Sequence, residues 1–275
     1  MTNQFSTIAP DATRPIGVFD SGIGGLTVVA ELRRKLPHER ILYVGDTARV
    51  PYGGKSAETV IRYSREISNL LISEEAKMIV VACNTASALA VPTVSREYSV
   101  PVLGVLEPGA SAAVRATRSG HVGVIGTKAT IGSEAYAHAI RSFNPELRVS
   151  SVACPLLVPL IEEGLFQDEI TEAVLRRYLE PLLRQGVDTL VLGCTHYPLL
   201  KPAISKICGP GIVLVDSAEN CALFVESLLM EPTAPKKEDP RLDILLTDPS
   251  EGFLRIAEKS LRLRIDSLKI RHIGK

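Results

Sequence analysis

The chain has 275 residues, 45% of them hydrophobic and 23% charged, with 31 basic against 31 acidic residues and a formal net charge of zero. That length supports one large or two modest domains, and the balanced charge, with no basic stripe, argues against nucleic acid or an anionic membrane surface as partner. No stretch reaches the roughly 18 consecutive apolar residues of a membrane span, and residues 1–7 lack the basic start and apolar core of a secretory signal, so a soluble, cytoplasmic protein is expected.

Residues 1–14 are polar and irregular, a flexible lead. The first strand, Ile16-Gly17-Val18-Phe19, ends at Asp20-Ser21. Gly22-Ile23-Gly24-Gly25 then turns into a helix from about Leu26, whose apolar face is Leu26, Val29, Ala30 and Leu32 and which Pro37 ends. A second strand, 41–44, opens into a glycine-rich loop, 45–55, carrying Pro51 and a tyrosine, Tyr52, expected to be exposed; such a loop suits the wall or lid of a site. A helix over 56–74 and a strand over 77–82 deliver Cys83, and the next helix begins at Asn84-Thr85. After a strand at 102–105, Glu107-Pro108 marks a crossover between halves.

The second half repeats the scheme, with a strand at 122–126, a helix from about Ser133 and a strand at 147–152. A helix over 168–185 and a strand over 188–193 then deliver Cys194, and a strand at 212–216 precedes a helix at 218–230. A charged linker, 236–240, leads to a tail with a strand at 242–246, a helix at 250–261 and a strand at 267–272. The tail is too short to fold alone and is expected to return to the first half. Ile16-Gly17-Val18-Phe19-Asp20-Ser21 is echoed by Val122-Gly123-Val124-Ile125-Gly126-Thr127, and each precedes a strand-end cysteine by a similar length of chain. The pattern predicts a duplicated α/β protein with mainly parallel sheets. One domain comprises 1–107 plus 217–275, the other 108–216, and the active site occupies the cleft between them.

The chemistry centres on Cys83-Asn84-Thr85 and Cys194-Thr195-His196, each following a buried-strand pattern. Ligands of open α/β sheets bind at the carboxyl ends of strands. Two thiols at two such ends suit a reaction in which one removes a proton and the other returns it from the opposite face. Helix-end amides and a neighbouring cation lower a thiol's pKa, and His196 is close enough to Cys194 to exchange a proton with it. Ser21, Asn84, Thr85 and Thr195 offer neutral donors for carboxylates, and Asp20 suits a substrate ammonium or a proton partner for Cys83. Five cysteines without framework or metal-ligand spacing argue against disulfides and zinc; Cys154, Cys208 and Cys221 read as packing residues. Gly22-Ile23-Gly24-Gly25 departs from the dinucleotide fingerprint, lacking both the sixth-position glycine and an acidic residue closing the next strand.

These motifs resemble those of bacterial glutamate racemases in the cofactor-independent aspartate/glutamate racemase family. The resemblance runs from Ile16 to the tail. Its motifs are Gly17 to Gly25, Asp46-Thr47 with Pro51-Tyr52-Gly53, Ala82-Cys83-Asn84-Thr85-Ala86, Pro159-Leu160-Ile161-Glu162-Glu163-Gly164, and Gly193-Cys194-Thr195-His196-Tyr197-Pro198. It implies two-base interconversion of L- and D-glutamate with no cofactor or metal, supplying D-glutamate for peptidoglycan. Cys83 and Cys194 would be the acid–base pair. Substrate contacts would come from Asp20, Ser21, Tyr52, Gly53, Asn84, Thr85, Thr195 and His196, and the auxiliary acid from Glu163 rather than Glu162. Many members are homodimers, so a homodimer is expected. The neutral donors do not measure side-chain length, and an aspartate racemase on the same scaffold is the nearest rival. A single-nucleophile isomerase or decarboxylase would need only one cysteine, and a small-molecule binding protein would need neither.

Overall fold

The computed structural model describes residues 14–229 and 240–274. The expected lead at 1–14 and linker at 236–240 therefore fall almost wholly outside the described residues. The first half supplies strands β1 (Ile16–Asp20), β2 (Ile41–Gly45), β3 (Met78–Val81) and β4 (Val102–Gly104). The second supplies β5 (His121–Gly126), β6 (Arg148–Ala153), β7 (Thr189–Gly193) and β8 (Val213–Asp216), and the tail adds β9 (Leu242–Leu246) and β10 (Ser267–Ile270). They form two wholly parallel sheets, in the orders β10-β9-β2-β1-β3-β4 and β6-β5-β7-β8. The orders β2-β1-β3-β4 and β6-β5-β7-β8 match strand for strand, so the repeat seen in the two hexamers is a repeat of topology. The tail pairs β9 with β2 in parallel, Ile41 opposite Leu242 through Gly45 opposite Leu246, and extends the first sheet.

Alternation along the strands feeds a layer on each face, as period-2 side chains must when both faces are covered. Ile16, Val18, Ile41, Tyr43, Met78 and Val80 pack with Leu26, Val29 and Leu32 of the helix Leu26–Lys35. Phe19, Leu42, Val44, Ile79 and Val81 face the other way, onto Val60, Ile67 and Leu71 of the helix Ala57–Ser73. The second sheet divides likewise. Ile125, Leu190 and Leu192 meet Leu175, Leu179 and Leu182, while Val122, Val124 and Val191 meet Ala110, Ala113 and Ile140.

Three local expectations need correction. Glu107-Pro108 does lie at the passage from β4 of one sheet to β5 of the other, but as part of the first turn of a helix, Leu106–Ala116, that was not foreseen. Proline is tolerated there because the N–H it lacks would have no helical acceptor. Tyr52 is 1% exposed, since a cis Val50–Pro51 bond and a short 3₁₀ turn, Tyr52–Gly54, fold it inward. The expected helix 250–261 is α-helical only over Glu251–Leu254 and widens into a π-helical turn, Arg255–Ser260. Among the described residues, no helix is long and apolar enough to cross a membrane.

Candidate active site

In each sheet two adjacent strands, β1 with β3 and β5 with β7, point their carboxyl ends at one cavity. Strand order reverses there, where open α/β sheets bind ligands. The cavity has a volume of about 480 Å³ and is lined from both halves, Ser21, Tyr52, Gly53, Cys83, Asn84 and Thr85 facing Thr127, Cys154, Glu162, Cys194, Thr195 and His196. Cys83 and Cys194 are each 5% exposed.

Cys83 caps the helix Asn84–Leu89, and its thiol donates to Ser21 Oγ at 3.7 Å. Burial and the nearby Asp20 carboxylate push this thiol up to about 12, against the pull of the Ala86 N–H and the Ser21 hydroxyl. At about 1.4 kcal/mol per pH unit, forming its thiolate costs about 4 kcal/mol more than for a free cysteine. Asp20 is fully buried. Its Oδ2 accepts from the Gly22 N–H at 3.1 Å and its Oδ1 from the Thr195 hydroxyl at 3.4 Å. Burial raises its carboxyl above the ordinary range, opposed by His196 and by the N–H groups of Gly25, Gly22 and Ser21. Asp20 thus stands near Cys83, for which it was expected as a proton partner, and also bonds across the cleft toward the Cys194 half.

Cys194 follows β7 and leads not into an α-helix at once but through Thr195-His196 into a 3₁₀ turn, Tyr197–Leu200. Its sulfur lies 3.9 Å from His196 Nδ1, and His196 Nε2 lies 3.1 Å from Glu162 Oε1. Burial alone would lower the imidazole, but its contacts with the Cys194 sulfur and the Glu162 carboxylate prevail and raise it to about 10. Negative charge on the Cys194 sulfur thus favours the protonated ring, and the ring is placed to stabilise that charge. The carboxylate in contact is Glu162, not the expected Glu163, which lines the cavity without touching the ring. Glu162 is the last residue of the helix Leu157–Glu162 and Glu163 its C-cap, so one residue's rotation decides which side chain turns inward.

The seam between the halves is polar and satisfied. Thr85 Oγ1 lies 2.9 Å from Thr127 Oγ1 and 3.1 Å from Thr130 Oγ1. Asn84 Oδ1 accepts from the Tyr136 hydroxyl at 2.6 Å while its Nδ2 donates to Ser217 Oγ at 3.3 Å. One Asn84 amide hydrogen is left for a ligand. Two glycines set how closely the halves approach. A Cβ on Gly24 would stand 2.4 Å from His196 Nδ1, and one on Gly53 would stand 2.7 Å from Thr127 Cβ. Cys154 packs in the apolar cluster of the second sheet as expected and also lines the cavity. Sequence reasoning missed Thr127 as a site residue, yet the hexamer echo that aligns Ser21 with Thr127 carried the signal. For Thr130 no comparable mark exists, whereas Glu162 stood in the sequence as the less favoured member of the Glu162-Glu163 pair.

Two strands, one from each sheet, leading to thiols that line one cavity, each with its own proton partners, define a site for moving a proton at carbon. The signature of the Asp/Glu/Hydantoin racemase family matches residues 26–222. Glutamate racemase from Geobacter metallireducens is 52% identical over 250 residues, covering 90% of this chain and 93% of that one. A glutamate racemase isoform from Bacillus anthracis superposes with a TM-score of 0.88 at 38% identity, covering 95% and 98% of the two chains. Glutamate racemase from Francisella tularensis, solved in complex with D-glutamate, gives 0.85 at 39% identity with the same coverage. The chain belongs to the Asp/Glu/Hydantoin racemase family, and it is an amino-acid racemase, an isomerase.

Proposed function

We propose that the protein interconverts L- and D-glutamate by a two-base mechanism that needs no added cofactor. The observation that carries this reading is the pair of buried thiols, Cys83 and Cys194, facing one cavity from opposite halves with unlike proton partners. One sulfur, as thiolate, takes the α-proton. The other, as thiol, delivers a proton to the opposite face of the carbanion, and the roles exchange with direction. His196, held by Glu162, stabilises the thiolate of Cys194. Asp20 receives the substrate ammonium, whose positive charge offsets part of the cost of ionising Cys83. Ser21, Asn84, Thr85 and Thr195, with the backbone of Tyr52-Gly53, hold the carboxylates and stabilise enediolate charge as it develops.

The reading extends to the whole chain. The first domain comprises residues 1–107 with 217–275 and the second 108–216, and closure of one upon the other excludes water. The protein works in the cytoplasm as a homodimer and supplies D-glutamate for peptidoglycan. The test is the decay of circular dichroism of each glutamate enantiomer on incubation with purified protein, with aspartate in parallel. Loss of signal from both glutamate enantiomers in chelator-containing buffer supports the reading. Activity on aspartate alone would overturn the substrate, and dependence on an added cofactor would overturn the mechanism.

A further inference from the structure

The wall loop 45–55 holds a buried carboxylate that the mechanism does not use. Asp46 is fully buried and lines no part of the cavity. Its Oδ2 accepts from the Tyr52 hydroxyl and from Arg49 Nε at 2.8 Å, and its Oδ1 from the Thr247 hydroxyl at 2.9 Å. Arg49 is pinned in turn by Glu66 and lies 4.0 Å over the Tyr63 ring. Thr247 follows β9, the tail strand added beside β2. It accepts from the Ala48 N–H at 2.8 Å, while Thr47 Oγ1 accepts from the Asp248 N–H at 2.9 Å. At the loop's other end Tyr52 and Gly53 line the cavity, and Gly53 abuts Thr127 of the second half too closely for any side chain.

We infer that Asp46 is a positioning residue of the active site, fixing Tyr52 and Gly53 against the second half while taking its own place from Thr247 on the C-terminal tail. Resting on the racemase reading, this makes the tail a working part of the site, although no tail residue lines the cavity. Tyr52 also packs in the apolar cluster beside the Tyr63 ring, and the bond to Asp46 fixes where its hydroxyl end comes to rest. A carboxylate shared by three donors, two from its own loop and one from the tail, holds more firmly than neutral pairs would.

The test compares Thr247→Val, Thr247→Ser, Tyr52→Phe and the Thr247→Val/Tyr52→Phe double variant with the parent, in racemase kinetics and in amide hydrogen exchange over residues 50–56. Thr247→Val keeps side-chain shape and removes the hydroxyl, which is both the donor to Asp46 and the acceptor for the Ala48 N–H. We expect it to raise KM for both glutamate enantiomers on the order of tenfold, the worth of one hydrogen bond to a charged group, with a smaller change in kcat and an unmoved pH profile. Exchange over 50–56 should quicken while that of β5 stays at the parent's rate, and Thr247→Ser should restore both readouts. The double variant should lose less than the sum of its parts, because both changes act through Asp46. Parent-like KM and exchange in Thr247→Val, or additive losses in the double variant, would overturn the inference. Should Thr247→Val fail to fold, Tyr52→Phe, which leaves the Asp46–Thr247 bond in place, decides by the same readouts. A parent that leaves glutamate unchanged would sink the racemase reading, while hydrogen exchange still decides the role of Asp46.

Discussion

At the scale of single residues the two thiols are chemically unequal. Cys83 has a hydroxyl and a nearby carboxylate, while Cys194 has an imidazole backed by Glu162. A base on one face alone can wash the α-hydrogen out of one enantiomer without inverting it. Cys83→Ala and Cys194→Ala are therefore each expected to lose racemisation by about a thousandfold or more, while each exchanges the α-hydrogen of a different enantiomer with deuterated water. Proton NMR checks this, and near-normal racemisation by either variant would remove the two-thiol mechanism. The Glu162 contact makes a second prediction. Because that carboxylate helps raise His196 to about 10, Glu162→Gln should move the alkaline limb of the kcat profile to lower pH, toward the ordinary imidazole range. Glu163→Gln should leave that limb in place. The reverse pattern would restore Glu163 as the partner.

At the scale of elements, the approach of the loop before the helix Leu26–Lys35 to the end of β7 sets the site's geometry. Gly24 is the contact point, and the Thr27 hydroxyl donates to the Thr195 carbonyl at 2.9 Å beside it. Gly24→Ala places a methyl where His196 and Thr195 already stand, so the ring or the whole turn must shift. Activity is expected to fall about a hundredfold, as misplacements of about 1 Å do. Overpacking should cost about 1–3 kcal/mol of stability, leaving a folded protein whose melting temperature is a few degrees lower. Retention of full kcat would show that His196 needs no fixed position. Most of these elements were legible in the chain. Apolar strands ending in small polar residues located β1, β3, β5 and β7, and with them both cysteines, because a buried parallel strand leaves a nearly continuous apolar run. The helix Leu106–Ala116 was missed because Pro108 reads as a breaker, although the first turn accommodates it. The inward turn of Tyr52 and the choice of Glu162 over Glu163 depend on contacts between stretches of chain far apart in sequence, which local pattern does not encode.

At the scale of the whole molecule, the cleft and the core beneath it hold groups that are poorly placed for stability at alkaline pH. His196 is raised to about 10, and burial pushes Cys83, Cys154 and Cys221 up to about 12. A group that binds its proton more tightly in the folded chain contributes stability in full below its unfolded pKa and loses it as pH rises through the folded value. For His196 that window runs from about 6.5, its unfolded value, to about 10. For the thiols it runs from about 8.5 to about 12. At the acid end the hydroxyl and N–H donors around Asp188, and the Ser267 and Arg40 donors on Asp243, hold those carboxyls below the usual range despite the opposing effect of burial. Their stabilisation is present above about 3.9 and fades as pH falls below it. Asp20 runs the other way, its raised carboxyl giving a loss that begins above about pH 3.9, and above about pH 6.5 melting temperature is expected to decline further in two stages. His196→Asn should flatten the first stage, up to about pH 8.5, and leave the second, which belongs to the buried thiols. Thermal unfolding followed by circular dichroism from pH 4 to 11 checks both stages. Parallel curves for parent and variant would mean that His196 is no more basic in the folded cleft than in the open chain, and the cation beside Cys194 would have to be sought elsewhere.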